Sequence, residues 1–249
     1  MDTFPIDNNF PSATVCSQTQ PRHNTAFQDA GLVRQLRSLN SCLLEAGDLS
    51  NRANIALSQL NQTIIEVQIK RLKHKAIAIG IWDFYPTPSA VVAKMLELAD
   101  PKPHHLILEP SAGCGDLVSA IAGTGTERVD CFEIHPLLRQ ALKLQQFNLI
   151  GFDFLTVPPH PIYDRILANP PFSNNGVANH TIHAYSFLKP GGRLITVAHH
   201  YKLRPSSCDR YFFDWLKDNK ARFLNLGNAF NKSDRSTSVP IQLIVIDKP

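Results

Sequence analysis

The side chains best suited to chemistry are acids and an amide that close short apolar runs. Glu109 ends His104-His105-Leu106-Ile107-Leu108-Glu109, Glu133 ends Arg128-Val129-Asp130-Cys131-Phe132-Glu133, and Asn169 follows Ile166-Leu167-Ala168. Between the two acids lies Pro110-Ser111-Ala112-Gly113-Cys114-Gly115-Asp116, whose glycines let the backbone turn tightly and come close to a ligand. An acid at the end of the second strand after such a loop is placed to bind both ribose hydroxyls of a nucleotide-like ligand. No third glycine completes GxGxxG, which disfavours a dinucleotide pyrophosphate and favours a smaller nucleoside. In Asn169-Pro170-Pro171-Phe172 the prolines stop strand pairing and leave an amide beside an aromatic ring, an arrangement that suits a base. It equally suits a plain strand-ending turn. Asp153, between Phe152 and Phe154, is either an acceptor for an adenine amino group under a ring or a turn former between core phenylalanines.

Alternating strands and helices must hold these groups. The pattern predicts strands at residues 104–109, 128–133, 147–150, 163–168 and 193–198, with helices over 117–122, 136–144 and 174–188 between them. Lys189-Pro190-Gly191-Gly192 reads as the turn that ends the last of these helices. Beyond come a helix over 208–217 and strands over 222–226 and 241–246, which pair as a hairpin because no helix separates them. The loop between those strands carries Lys232 and Arg235, which either touch a substrate or stay in solvent. Upstream, Trp82-Asp83-Phe84-Tyr85-Pro86-Thr87-Pro88 leads into a helix with Thr87 as its cap and Pro88 in its first turn. Its N-terminal N–H groups also suit a carboxylate ligand.

Three segments follow: a loose polar arm (1–26), a helical hairpin or long interrupted helix (27–80), and an α/β domain (81–249). In the second segment apolar residues recur at helical spacing from Leu32 to Leu43 and from Ile55 to Leu72. It ends in Lys70-Arg71-Leu72-Lys73-His74-Lys75, cations that suit either phosphates or a helix C-terminus. A hydrophobic fraction of 43% with 18% charged residues is enough for a sizeable core, and a net charge of +4 permits a nucleic-acid partner without requiring one. The five scattered cysteines, an odd number without CxxC spacing, point to reduced thiols and a cytoplasmic protein. No apolar run reaches transmembrane length, and His180 with His183, or His199 with His200, lacks further ligands at metal-binding spacing.

Taken together, Tyr85-Pro86-Thr87-Pro88, Glu109-Pro110-Ser111-Ala112-Gly113-Cys114-Gly115-Asp116, Glu133, Asp153-Phe154 and Asn169-Pro170-Pro171-Phe172 give residues 82–247 a resemblance to class I S-adenosylmethionine-dependent methyltransferases. The order and spacing of these pieces resemble those of the branch that methylates the N6 amino group of adenine in DNA. The resemblance implies a Rossmann-like α/β fold with a seven-stranded, mostly parallel sheet, its last strand inserted antiparallel. It implies S-adenosyl-L-methionine as cofactor and no metal. Ser111, Ala112, Gly113 and Gly115 would run under its methionine part, with Thr87 and Asp116 near the amino and carboxylate groups. Glu133 would take the ribose and Asp153 the adenine amino group, with Tyr85, Glu109, Ile134, Phe154 and Asn169 also at the cofactor. As catalytic groups, Asn169 and the Pro170 carbonyl would accept from the target amine while Phe172 stacks on the target base.

An exocyclic amine is a poor nucleophile because its lone pair is delocalised into the ring. Two acceptors on its hydrogens favour a pyramidal nitrogen, so positioning and electrostatics carry the rate. A cytosine-C5 enzyme would need a nucleophilic cysteine, typically after proline, and the chain has no Pro-Cys pair. In a duplex the target base must leave the stack. There is no long segment for a separate recognition domain, so specificity is low, lies in the N-terminal helices, or comes from a partner chain, including a second copy. Asn-Pro-Pro-Phe also occurs in RNA guanine-N2 methyltransferases, which leaves an RNA base as the alternative substrate. A non-catalytic cofactor-binding subunit is a further alternative, against which Asn169 and Phe172 count.

Overall fold

A computed structural model describes residues 34, 35, 38, 49–200, 207–231 and 233–249. The chain divides into two compact units, Met1–Leu60 and Asn61–Pro249, and the division falls inside the first described helix, α1 (Leu49–Ala78). The expected arm lies outside the described residues. Of the first expected helix only Arg34, Gln35 and Ser38 are described, all helical. On α1, Ile69, Leu72, Ala76 and Ile77 pack with Ile81, Phe84, Cys114 and Leu138. Val67 of the same apolar stripe stays exposed.

The α/β unit then runs α2 (Ser89–Ala99), β1 (Leu106–Glu109), α3 (Asp116–Ala122), β2 (Arg128–Phe132), α4 (Pro136–Leu144), β3 (Asn148–Gly151), β4 (Tyr163–Ala168), α5 (Gly176–Phe187), β5 (Leu188–His199), α6 (Ser207–Asp218), β6 (Arg222–Gly227) and β7 (Ile241–Asp247). A single-turn 3₁₀ helix, Phe154–Thr156, separates β3 from β4. The seven strands lie in the order β3-β2-β1-β4-β5-β7-β6, with β7 antiparallel to both β5 and β6 and the other pairs parallel. The fold is therefore the expected one, including the terminal hairpin.

Strand segments buried on both faces need apolar residues at successive positions, which is why Ile166–Ala168 of β4, Leu194–Ala198 of β5 and Leu243–Ile246 of β7 are almost wholly apolar. Leu108, Ile166, Leu194 and Ile244 pack on one face with Val177, Ala184 and Phe187 of α5 and Phe212 of α6. Their sequence neighbours Ile107, Leu167, Ile195 and Leu243 pack on the other with Val91 and Met95 of α2 and Leu117 of α3. Neighbouring residues thus face opposite layers, as the period of two requires. Within β2 the buried Asp130 carboxylate accepts from Arg128, Asn148 and Tyr163, so its charge is compensated.

One expected boundary is corrected. Lys189-Pro190-Gly191-Gly192 does not separate helix from strand; β5 starts at Leu188, directly after α5. Tyr163 pairs with Leu188 and Arg165 with Arg193, so the four residues form an irregular bulge opposite Asp164. Gly191, at φ +77°, donates to the Lys248 carbonyl and the Lys248 N–H returns to Gly192, which ties the bulge to the end of the chain. Sequence alone gives these residues turn character but not the chain terminus that receives them.

Candidate functional site

In an open sheet, ligands bind beyond the carboxyl ends of the strands where the order reverses, here between β1 and β4. Glu109 ends β1 and is 1% exposed, and Ser111 donates its N–H to Oε1 at 3.1 Å. Burial, reinforced by the nearby negative Glu133, pushes its carboxyl up to about 8. Glu133, just past β2, accepts from the Gly113 N–H and the His135 N–H, both at 2.7 Å. Burial raises its pKa as well, against the pull of those two N–H groups. The strand ends and the intervening loop are thus one hydrogen-bonded unit. Gly113 sits at φ +58°, with the Phe84 ring 3.1 Å from where a Cβ would stand. Gly115, at φ +93°, faces the other way: a Cβ there would lie 2.7 Å from the Phe147 ring. Gly115 is not among the residues that line the cavity bounded by these groups; it stands at the start of α3, against Leu142, Gln145 and Phe147.

Asn169 follows β4, and its amide nitrogen donates to the Tyr85 carbonyl at 2.9 Å and the Thr87 hydroxyl at 3.0 Å. A carbonyl can only accept, so this bond fixes which end of the amide is nitrogen. Asn169 Oδ1 is buried and has no partner, and Ser111 Oγ shares that condition. Thr87 does not cap α2: Pro88 holds that position, its carbonyl takes the Val91 and Val92 N–H groups, and no side chain caps the helix. The threonine hydroxyl is spent on Asn169 instead.

These groups surround a cavity of about 530 Å³. Tyr85, Thr87, Glu109, Ser111, Ala112, Gly113, Glu133, Ile134, Asp153, Phe154 and Asn169 line its wall, and Asp116 also reaches it. Ile134 is 65% exposed on that wall, as is Phe152 at 59%, with the Arg139 guanidinium 4.2 Å over its ring. Phe154 is 2% exposed and packs among Phe132, His183 and Phe187, so it is chiefly core. Asp153 caps the 3₁₀ turn through the Leu155 N–H. Asp116 is already paired: Lys73 of α1 lies 2.9 Å from it and 2.9 Å from Asp234 in the β6–β7 loop. Burial opposes the lysine charge, but the two carboxylates hold its pKa above the ordinary value.

Pro170 and Phe172 do not line this cavity. The Phe172 ring instead meets His199 at 4.4 Å between centroids and lines a second cavity of about 280 Å³, together with Tyr85, Phe230, Val239 and Ile241. Asp83 and Ser173 border both cavities. His199, at the end of β5, is held below the usual histidine pKa by burial, partly offset by Asp83. Of Asn169-Pro170-Pro171-Phe172, Asn169 and Pro171 line the larger cavity and Phe172 the smaller.

Several of these residues carry no motif. Arg235 donates to the carbonyls of Ile81 and Phe84 and stacks over Tyr85 at 4.5 Å, anchoring the segment that holds Asn169. Lys232 lies outside the described residues. Gly176, at the start of α5, has the Pro171 carbonyl oxygen 2.3 Å from where a Cβ would stand, so no side chain fits. Gly176 had a signal, standing four residues beyond Phe172 after two asparagines. Arg235 had none beyond its charge in a polar loop. His180 and His183 bond the Gly176 and Phe154 carbonyls, and among the described residues no cluster of three or more metal-ligating side chains occurs. Cys114 and Cys131 are buried free thiols, each pushed up to about 12 by burial. No described helix is long and apolar enough to cross a membrane.

No protein-family model and no curated protein matches the sequence. Solved structures do match in fold. A protein from Listeria monocytogenes assigned as a class I S-adenosylmethionine-dependent methyltransferase aligns with a TM-score of 0.57 at 15% identity, over 76% of this chain and 68% of that one. The modification subunit of a type I restriction enzyme from Vibrio vulnificus aligns with a TM-score of 0.58 at 18% identity, over 77% of this chain and 50% of that one. The methyltransferase subunit of a type I restriction-modification system from Streptococcus thermophilus gives 0.55 at 20% identity, over 67% and 45%. The chain spans about half the length of these two subunits. At such identities the likeness is one of architecture: the α/β unit has the Rossmann-like fold of class I S-adenosylmethionine-dependent methyltransferases.

Proposed function

We propose that the chain binds S-adenosyl-L-methionine in the larger cavity and transfers its methyl group to the N6 amino group of adenine in DNA. The observation that carries this reading is the buried, unpartnered Oδ1 of Asn169, held at the cavity edge by an amide nitrogen already committed to Tyr85 and Thr87. A buried acceptor without a donor is costly, and an amine that supplies one relieves that cost.

The residues present fit the cofactor. A cavity of about 530 Å³ is of small-molecule size. Each Glu133 oxygen accepts one backbone N–H, and a carboxylate has about four acceptor positions, so two remain for ribose hydroxyls. Asp153 would accept from the adenine amino group, with Ile134 and Phe152 covering the purine. Ser111 Oγ, unpartnered, would meet the methionine end, and Asp116 would act there through its charge while paired with Lys73. When bound, the cofactor supplies an electrophilic methyl group on a positively charged sulfur.

The chain's own groups prepare the amine. Asn169 Oδ1 and the Pro170 carbonyl accept its two hydrogens, which localises the nitrogen lone pair and aims it toward the larger cavity. Phe172 covers one face of the base, so the target would lie in the smaller cavity with its amino group reaching toward Asn169. The type I restriction subunits among the structural neighbours act within DNA modification systems, which supports DNA as the substrate.

The test is transfer from methyl-labelled S-adenosylmethionine to DNA lacking N6-methyladenine, followed by digestion and nucleoside analysis. Label in N6-methyldeoxyadenosine is expected, and Asn169→Ala should lower the rate at least about 100-fold with cofactor binding retained. Label appearing only in RNA or protein overturns the reading.

A further inference from the structure

Trp82 is 79% exposed, the most exposed large apolar side chain described. Exposed indoles are normal singly, so exposure alone assigns nothing. This indole, however, is fixed. Its Nε1–H donates to Ser173 Oγ at 2.7 Å, and Ser173 is bound in turn through both its hydroxyl and its N–H to the Asp83 carboxylate. Ser173 directly follows Phe172, and the next two residues, Asn174 and Asn175, adopt φ of +52° and +59°, which restricts the turn further. Trp82 belongs to the wall of the larger cavity, and the two residues that hold it border both cavities. A flat π-surface is therefore held, already ordered, on the wall of the larger cavity, next to the residues that border both cavities.

The surroundings favour nucleic acid over protein as what covers it. The Ile81 N–H returns to the Ala76 carbonyl at 3.1 Å, which folds the Trp82 segment against the last turns of α1. Those turns expose Lys70, Arg71, His74 and Lys75. Exposed Lys70, Arg71 and Lys75 on the helix that leads into a stacking platform match the way single-stranded segments are held, with backbone on the charges and bases on the rings.

We infer that Trp82 is a second base-stacking platform beside Phe172, and that it takes an unpaired base neighbouring the target. The inference rests on the reading of the chain as a nucleic-acid methyltransferase. Fixing the indole in advance removes part of the ordering cost of that contact.

Two measurements test it. Trp215 packs against Tyr185 and Phe212, away from the cavities, so Trp215→Phe leaves Trp82 as the sole tryptophan. Titrating this variant of residues 1–249 with a single-stranded oligodeoxynucleotide should quench its tryptophan emission saturably. In transfer assays Trp82→Ala should raise KM for DNA about 10-fold, by more than it changes the KM for S-adenosylmethionine. Trp82→Phe, which keeps a ring but loses the bond to Ser173, should recover most of the loss. Absence of quenching, an unchanged KM in Trp82→Ala, or a Trp82→Phe as impaired as the alanine variant overturns the inference. Quenching does not depend on turnover. A wild-type protein that transfers methyl groups to no nucleic acid therefore overturns the functional reading, while the titration still decides the fate of Trp82.

Discussion

The two cavities that meet at the Asn169 turn are made in different ways. The larger, though lined largely by apolar side chains, has a polar edge that is locally encoded: Glu109, the Ser111–Gly113 loop and Glu133 lie within 25 residues and are joined by backbone N–H groups donating to carboxylates. The smaller is aromatic and assembled from distant parts of the chain: Phe172 after β4, His199 at the end of β5, Phe230 and Val239 from the β6–β7 loop. Recognition by charge and hydrogen bonds is written into contiguous turns, whereas recognition by apolar surface waits for the sheet to close.

On the proposed reading the two should fail separately. Glu133→Ala removes the acceptor of the Gly113 and His135 N–H groups as well as the ribose site, and should weaken cofactor affinity about 100-fold, read by calorimetry. Phe172→Ala should leave that affinity within about twofold and raise KM for DNA about 10-fold. Loss of both affinities in either variant would break the distinction.

The turn shared by the cavities should be the least tolerant of added volume. Gly176→Ala places a methyl against the Pro171 carbonyl and should destabilise the fold by about 1–3 kcal/mol in denaturant titration. Wild-type stability there would show that the turn yields.

Glu109 gives the larger cavity a pH signature opposite in direction to that of His199 in the smaller, whose lowered pKa loses stability as pH falls. The folded pKa of Glu109 is raised from the ordinary carboxyl range to about 8, so the folded state holds a proton that the unfolded state releases. The stability contributed by that proton is complete below about pH 4.5 and is lost as pH rises to about 8. In Glu109→Gln this fall should be absent from a plot of urea midpoint against pH. The smallest effect belongs to Lys73, which joins Asp116 to Asp234 with 18% of its side chain exposed. Lys73→Met should cost about 1 kcal/mol, and added salt should narrow the gap between the two proteins.

The same division explains what could be read from the sequence. β4 and the Asn169–Phe172 turn, the glycine loop and the acids at the strand ends were legible because periodicity and turn chemistry act over a few residues. The Asn169–Thr87 bond was not, since it joins residues 82 positions apart and competes with an equally sound local role for Thr87 as a helix cap. Asp116 suited a ligand's amino group by position, but Lys73 reaches it from a helix the motif does not include. Phe172 was legible as an aromatic for a base, while its opening into a separate cavity depends on His199 and on Phe230.

The locked amide of Asn169 has one more consequence. Its nitrogen is held by the Tyr85 carbonyl, so the group cannot flip without setting oxygen against oxygen, and it offers incoming bases an acceptor alone. An amino group satisfies that acceptor. On the proposed reading, a keto oxygen at the same ring position would face it lone pair to lone pair, a mismatch of the kind that separates substrates by several orders of magnitude. Deaminated adenine, identical in outline but carrying a carbonyl where the amine stood, would be turned away by repulsion rather than by shape.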